Sequence, residues 1–314
     1  MRVTMNIFSG RPNPTWALPP RKTKELVDRL SAEGPLVAPH QSPTLGFRGF
    51  TLDADLEDLA VNPIVPAHFV VPPPAVREPV EPPQAKAKRR AAETVAVDEQ
   101  KVAVAQDISQ FLLSTAPDHV AIEALEAVDQ SIRHGSIAAE PAEAKARDGR
   151  RKEMRAEERL VDPPLANPAC EPFLTPLQEA FWNHPFRRFG NNCYNFASNF
   201  ASNTMAQPGR HSGRMYTAFE CGNVLAAAKA DGYRQECDGT LRVVALAIWP
   251  RIDFHWWRLH PGGFWAHKIG TSMVMQVDNL GRILGNGLTP ANCDRGPYSM
   301  FCGFFFGPLG VEVI

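Results

Sequence analysis

The sequence of 314 residues has no long run of apolar side chains, and that absence excludes the membrane-spanning classes of protein. No stretch approaches the roughly 18 consecutive apolar residues that a helix needs to cross a bilayer. Residues 1–10 also lack the apolar segment after a basic start that marks a secretory signal. We therefore expect a chain that is made in the cytoplasm, with export by a route independent of a signal peptide as the alternative.

Net charge is nearly absent, and cysteines are few. A formal charge of −1 and a pI near 6.8 give no general attraction to nucleic acid or to a membrane surface. The six cysteines form no C-x-x-C pair, so the sequence predicts no dense disulfide framework, and we expect most of them to be reduced. No metal or other cofactor is expected, because a zinc site built from His255, His267 and Cys293 would lack the usual ligand spacing.

Proline is the compositional outlier, and its distribution predicts three regions. The 29 prolines concentrate before residue 190. Residues 1–70 are predicted to form a small α+β module for docking or delivery, in which a first strand runs into a tight turn at Ser9 to Pro14. Residues 71–166 combine proline runs, short helices and a charged segment, which is typical of a linker. Residues 167–314 are predicted to form the main domain.

The main domain has helical patterns first and strand patterns afterwards. Helical spacing from Cys193 to Ala201 follows Asn191 and Asn192, which are good N-cap residues. A second helix is predicted to begin at a capping box, Thr217 to Glu220. Apolar strands are then predicted at residues 241–249, 252–259, 264–268, 273–278 and 301–306. Short connections make neighbouring strands antiparallel, so the predicted fold class is α+β.

Cys193 and two histidines form a candidate catalytic set. A cysteine in the first turn of a helix meets free N–H groups and the positive end of the dipole, which favour the thiolate. His255 and His267 lie on two strands of a predicted hairpin, and a turn centred on Pro261 would place them opposite each other. We assign His255 as the base and His267 as the group that orients it, with Asp278 as the alternative third member.

The order and spacing of these residues resemble the NlpC/P60 branch of the papain-like cysteine peptidases. The shared features are a helix-start cysteine with an aromatic residue three positions later, a capped helix, and two histidines 12 positions apart on strands. The resemblance covers residues 167–314 and implies a papain-like domain with Cys193, His255 and His267 as its triad. The chain departs from it at Asn192 and in the bulky residues that follow His255. Aromatic residues would line the substrate cleft: Tyr194, Trp256, Trp257, Trp265 and Tyr298.

The resemblance implies a cysteine peptidase or amidase that works through a thioester, with a peptide or the peptides of peptidoglycan as substrate. In a toxin or effector, the N-terminal module would serve delivery, and a delivery or immunity protein would be a partner. An acyltransferase or transpeptidase with the same triad is one alternative. The other is a non-catalytic binding or matrix module, in which Cys193 is a small core residue and the histidines are ordinary sheet residues.

Overall fold

The structure is a computed structural model, and it describes residues 1–33, 44–54, 68–71, 99–134, 163, 165 and 167–314. Internal contacts divide the chain into two compact units. The first comprises Met1–Asn6, Pro14–Ser42 and Phe47–Ile137, and the second comprises Ile7–Asn13, Pro43–Gly46 and Ala138–Ile314. The short segment Ile7–Asn13 therefore belongs to the second unit, although it lies near the start of the chain.

An antiparallel sheet and three helices make up the described part of the first unit. The four strands follow the order β2-β1-β3-β4, with β1 at Arg2–Met5, β2 at Thr15–Ala17, β3 at Phe50–Asp53 and β4 at His68–Val71. The helices are α1 at Pro20–Glu33, α2 at Glu99–Ser114 and α3 at Ile122–His134.

The sequence pattern accounts for the strands of this unit. Val3 and Met5 are buried while Arg2 is exposed, as a half-buried strand requires. Strand β3 pairs with β1, and Met5 lies opposite Phe50. Helices α2 and α3 fall inside the predicted linker of residues 71–166, yet they group with the first unit. The proline runs and charged segment of that linker lie outside the described residues, so its boundaries stay a prediction.

A six-stranded sheet is the centre of the second unit. Its order is β10-β6-β7-β8-β9, with β5 parallel to β6 and every other pair antiparallel. The strands are β5 at Glu171–Pro172, β6 at Thr240–Trp249, β7 at Asp253–His260, β8 at Phe264–Lys268, β9 at Val274–Met275 and β10 at Met300–Pro308. The helices are α4 at Glu179–Asn183, α5 at Pro185–Arg188, α6 at Cys193–Ser198 and α7 at Cys221–Ala230. Helices beside mainly antiparallel sheets confirm the α+β class.

Both faces of this sheet are covered by apolar side chains. Along β6, Val243, Ala245 and Ala247 enter one core cluster, whereas Val244 and Leu246 enter the other. Successive side chains of a strand point to opposite faces, so a continuous apolar run supplies both clusters at once. The second cluster includes Cys193, which places the start of α6 in the core.

The β7–β8 hairpin has a different register from the predicted one. The predicted pairing of His255 with His267 is wrong by two residues, because His267 lies opposite Trp257. His260 belongs to β7 and pairs with Phe264, so the connecting turn is centred on Gly262. A two-residue shift keeps each side chain on its original face of the sheet, since strand residues alternate with a period of two. His255 is therefore a diagonal neighbour of His267.

The first residues of helices α6 and α7 can be compared with the predicted caps. Helix α6 begins at Cys193 behind Asn192, as predicted, but it ends at Ser198 because Asn199 adopts a left-handed conformation. The predicted capping box before α7 is wrong. Glu220 occupies the N-cap position without a side-chain hydrogen bond, and the Asn223 side chain accepts the N–H groups of two preceding residues instead.

Four cysteines form disulfides, so the expectation that most are reduced is wrong. Cys170 pairs with Cys237 and Cys221 pairs with Cys302, across separations of 67 and 81 residues. Tertiary structure alone brings such distant residues together, and spacing gives no indication of it. Cys193 and Cys293 are free and buried.

Candidate functional site

The Cys193 thiol lies in the first turn of α6, in a site that the sequence specifies locally. The Asn192 side chain accepts the N–H groups of Tyr194 and Asn195, at 3.0 and 3.1 Å. In return, the Asn195 side chain accepts the Asn192 N–H at 3.1 Å. This reciprocal capping box fixes where the helix begins. Cys193 itself has no exposed surface, and its thiol donates to the Phe254 carbonyl at 3.9 Å.

Burial controls the protonation of this thiol. Loss of solvent, with a smaller contribution from the nearby Asp253 carboxylate, raises the pKa of Cys193 to about 12. Hydrogen bonds with Ser9 and with the Trp256 backbone, together with the Lys268 charge, oppose these effects but do not offset them. The expectation of a thiolate is therefore wrong. A helix start lowers a thiol pKa only where the site is partly exposed, and here desolvation dominates.

His255 and His267 meet in one chain of hydrogen bonds. His267 Nε2 lies 2.9 Å from the Val277 carbonyl oxygen, which can only accept, so this nitrogen carries the proton. Burial lowers the pKa of His267 to about 4, which keeps the ring neutral. Its Nδ1 therefore accepts from His255 Nε2 at 2.8 Å. His255 Nδ1 is left as an acceptor, and the Ser9 hydroxyl donates to it.

The segment Ile7–Asn13 occupies the space beside the thiol and the imidazole. The Ser9 hydroxyl bonds to His255 and is also a hydrogen-bond partner of the Cys193 thiol. The backbone N–H groups of Ser9 and Gly10 both donate to Asp253 Oδ2, at 2.6 and 3.1 Å. The Ser9 carbonyl accepts the Gly270 N–H at 3.1 Å. Ser9 is buried, so this segment closes the site from solvent.

The Gly10 carbonyl is held by two side-chain amides. Asn192 Nδ2 donates to it at 2.6 Å and Gln207 Nε2 donates at 2.7 Å. Tyr216 accounts for the orientation of Gln207, because its hydroxyl donates to Gln207 Oε1 at 2.6 Å. Every backbone N–H and C=O group of Ser9 and Gly10 thus has a partner in the second unit. Burial of a backbone segment requires such pairing, because an unpaired N–H or C=O group away from water is costly.

Glycine is the only residue that fits at position 10. A Cβ atom built there would lie 2.4 Å from the Phe254 ring, well inside van der Waals contact. The segment is also closed on itself, because the Asn13 side chain accepts the N–H groups of Ile7 and Phe8 at 3.0 and 2.8 Å. Its conformation is therefore fixed both internally and by the site.

Asp253 is a buried carboxylic acid that the sequence reasoning did not assign to the site. Burial raises its pKa, against hydrogen bonds from Tyr298, Ser9 and Gly10. The Tyr298 hydroxyl donates to Oδ2 at 2.6 Å. Its other oxygen, Oδ1, has no hydrogen-bond partner among the residues that the structure describes. One signal for Asp253 was present in the sequence, because residues 253 and 255 lie on the same face of a strand.

The aromatic residues expected to line a cleft are all buried. Trp257, Trp265 and Tyr298 belong to one core cluster, and Tyr194 and Trp256 belong to the other. None of the five exposes more than 2% of its surface. They therefore position the site from within the core.

Asp278, the alternative third member, has other partners. Its carboxylate accepts two hydrogen bonds from the Arg282 guanidinium, at 2.9 and 2.6 Å. It also accepts backbone N–H groups of Leu280, Arg282 and Asp294. Asp278 thus organises the turn that follows β9.

The described residues contain neither a metal-binding cluster nor a membrane-spanning helix. No group of three or more His, Cys, Asp or Glu side chains there is arranged to hold a metal ion. No helix in that part of the chain is long and apolar enough to cross a membrane.

Comparison with known proteins relates the chain to a shell matrix protein. Neither a family model nor a solved structure matches the chain. The chain is 42% identical over 134 residues to the insoluble matrix shell protein 1 of Ruditapes philippinarum. The match spans 41% of this chain and 88% of the relative.

Proposed function

Because the chain belongs to the family of insoluble matrix shell protein 1, we propose that it is a structural component of an insoluble protein matrix. We expected a cysteine peptidase or amidase that acts as a peptidoglycan-cleaving toxin or effector. That expectation is wrong, since the chain is 42% identical to a matrix protein over 88% of that protein's length. The alternative of a non-catalytic binding or matrix module agrees with that relative. The family relationship is the observation that carries the proposal.

The geometry around Cys193 supports a structural role. The thiol has no exposed surface, and its raised pKa of about 12 keeps it protonated near neutral pH. The imidazole of His255 is engaged on both nitrogens, by Ser9 and by His267. A nucleophile needs a free base and access for its substrate, and in this state the site offers neither.

The two disulfides support a working place outside the reducing cytosol. Disulfides persist in oxidising compartments and are rare where thiols are kept reduced. Cys170–Cys237 and Cys221–Cys302 both lie in the second unit. We propose that the chain is exported before it joins the matrix, which agrees with the exported alternative of the sequence reasoning.

The resemblance to NlpC/P60 domains remains a proposal about the fold of the second unit. A capped helix beginning at Cys193 and two histidines on adjacent antiparallel strands support it. On this proposal the domain keeps the arrangement of papain-like proteins and uses it as a packed and hydrogen-bonded core.

Fractionation of the matrix in which the protein occurs tests the structural role. Material is extracted with salt and then with denaturant under non-reducing conditions, and the chain is quantified in each fraction by mass spectrometry. We expect to find the chain in the insoluble material that remains after both extractions. Recombinant Cys193→Ala protein should associate with this insoluble material as well as the wild type does.

Recovery of the chain wholly in the salt extract would contradict the proposal. So would release of new amines from matrix peptides by the wild type when the Cys193→Ala variant releases none. The matched control is Cys293→Ala, because Cys293 is also free and buried but belongs to the other core cluster.

A further inference from the structure

A second cluster of buried polar side chains is centred on β7. Arg258 and His260 lie on the same face of this strand, and both are buried. The Arg258 Cζ atom lies 4.4 Å from the centre of the Phe196 ring, and the centre of the His260 ring lies 5.8 Å from the same point. His260 Nδ1 hydrogen-bonds with the Thr175 carbonyl at 2.7 Å, and the buried Arg242 guanidinium donates to the Thr175 hydroxyl at 3.3 Å. Two guanidinium groups and an imidazole are therefore neighbours inside the second unit.

The nitrogens of the Arg258 guanidinium are used unequally. Nη1 donates to the Phe196 carbonyl at 2.8 Å and to the Asn199 side chain at 2.7 Å. Nε and Nη2 have no hydrogen-bond partner within the described ranges of the chain. These two nitrogens form one edge of the planar group, and their N–H groups make a fork that matches the two oxygens of a carboxylate. Buried donors of a charged group are costly to leave unpaired, so this edge needs an acceptor.

Arg282 shows what the same edge of a guanidinium binds elsewhere in this chain. Its Nε and Nη2 atoms donate to the Asp278 carboxylate, at 2.9 and 2.6 Å. For Arg258 and Arg242, by contrast, no carboxylate forms an ion pair in the part of the chain that the structure describes. The edge that Asp278 occupies in Arg282 is therefore the edge that lacks a partner in Arg258.

The charge of Arg258 favours an anion over water as that partner. Burial, with a smaller contribution from the Arg242 charge, lowers the pKa of Arg258 to about 9, so the guanidinium is still protonated at neutral pH. The neighbouring groups supply no negative charge, because burial lowers the pKa of His260 to about 4 and raises the pKa of Tyr233, which keeps both neutral. Water would pair the donors but would leave the buried charge uncompensated. Because Arg258 has no exposed surface, the anion must be small.

We propose that the Nε–Nη2 edge of Arg258 binds a small planar oxyanion of the carboxylate type, such as formate, acetate or hydrogencarbonate, in the core of the second unit. Two oxygens of the anion accept the two N–H groups, and the Arg242 charge adds a longer-range attraction. Because the unfolded chain has no such site, the anion is a structural ligand that stabilises the folded state. The inference goes beyond the proposed matrix role and does not depend on it.

Thermal unfolding of the full chain in sodium acetate, and in sodium chloride of equal pH and ionic strength, tests the proposal. A ligand of the folded state raises the midpoint as its concentration rises. We expect the wild type to unfold about 2 °C or more higher in acetate than in chloride. Arg258→Lys keeps the positive charge but lacks the fork, so this variant should lose the difference between the two salts.

Arg282→Lys is the matched control, because Asp278 already occupies the same edge of Arg282. This variant should keep the acetate response of the wild type, which separates binding at Arg258 from a general effect of the salt. Circular dichroism checks that each variant is folded. Equilibrium dialysis of the wild type against radiolabelled acetate gives a result even if Arg258→Lys does not fold. We expect saturable binding of one acetate per chain, which excess chloride does not displace.

Three outcomes overturn the inference. They are equal midpoints of the wild type in acetate and chloride, an acetate response that persists in a folded Arg258→Lys variant, and dialysis that shows no saturable binding of acetate. Each of them leaves the proposed matrix function standing, because that function is tested by fractionation and not by anion binding.

Discussion

At the scale of residues, Cys193 shows how burial reverses an expectation drawn from position alone. Its place at a helix start was predicted from the N-cap residues and is confirmed. The charge state depends on solvent access, which the sequence does not reveal, because the covering residues Ser9 and Gly10 lie more than 180 positions away. The predicted turn at Ser9 to Pro14 is the only local signal of that cover.

The raised pKa of Cys193 predicts a loss of stability in alkali. The unfolded thiol ionises near its ordinary pKa of 9.0, while the folded thiol ionises at about 12. Its contribution is therefore fully present below about pH 9 and is lost as pH rises toward about 12. Urea unfolding across this range should show a shallower decline for Cys193→Ala than for the wild type. Parallel declines would contradict the assigned pKa.

Among the residues that bind the segment Ile7–Asn13, Asp253 should be the one whose substitution costs the most stability. Asp253→Ala leaves the N–H groups of Ser9 and Gly10 and the Tyr298 hydroxyl without their acceptor, and we expect a cost of about 3 kcal/mol or more. Tyr298→Phe removes a single donor and should cost about 1 kcal/mol. Urea denaturation measures both. Similar losses for the two variants would show that the bonds to the segment contribute little.

At the scale of elements, strands were predicted well and the contacts between them less well. Alternating or continuous apolar patterns located β6, β7, β8 and β10 to within a few residues, because the apolar pattern of a strand depends on which of its own faces are buried. Strand register depends on turn geometry, and one misplaced residue in the Pro261–Gly263 turn shifted the predicted pairing by two. Disulfide partners depend on the tertiary fold, which spacing cannot give.

The disulfide between Cys221 and Cys302 connects α7 to β10, and its loss should loosen that helix. We expect the double variant Cys221→Ala/Cys302→Ala to lose about 2–5 kcal/mol of unfolding free energy, because the bridge constrains a long loop in the unfolded chain. Thermal unfolding under non-reducing conditions measures the change. Reductant breaks both disulfides of the wild type, so the effect of the second bridge is measured separately with Cys170→Ala/Cys237→Ala. The losses in the two double variants should together approach the loss that reductant causes in the wild type. Unchanged stability in the double variant would contradict a structural role for the bridge.

At the scale of the whole molecule, burial in the second unit keeps the His260 and His267 side chains neutral. Burial lowers the pKa values of His260 and His267 to about 4 each. Both rings are neutral in the folded state, whereas in the unfolded chain they take up protons below their ordinary pKa of 6.5. Their contribution to stability is therefore present above about pH 6.5 and is lost as pH falls toward about 4.

Acid should thus unfold the protein before its carboxylates dominate the titration. We expect the free energy of unfolding, measured by urea titration, to fall steadily below about pH 6.5, at up to about 1.4 kcal/mol per pH unit for each histidine. His260→Gln should make the decline shallower without changing Cys193 labelling, because His260 bonds to the Thr175 carbonyl, whereas the segment Ile7–Asn13 covers the thiol. A midpoint that is flat down to about pH 4 would contradict the buried neutral state of both rings.

Alkylation of Cys193 by iodoacetamide tests most directly whether this thiol is a buried core residue. The rate is measured in the native full-length chain by mass spectrometry, from mildly acid to mildly alkaline pH. A structural core predicts labelling about a hundred-fold or more slower than in the unfolded chain, with no fast reaction at acid pH. Rapid labelling of Cys193 at acid pH, ahead of Cys293, would reveal an accessible thiolate and contradict the account.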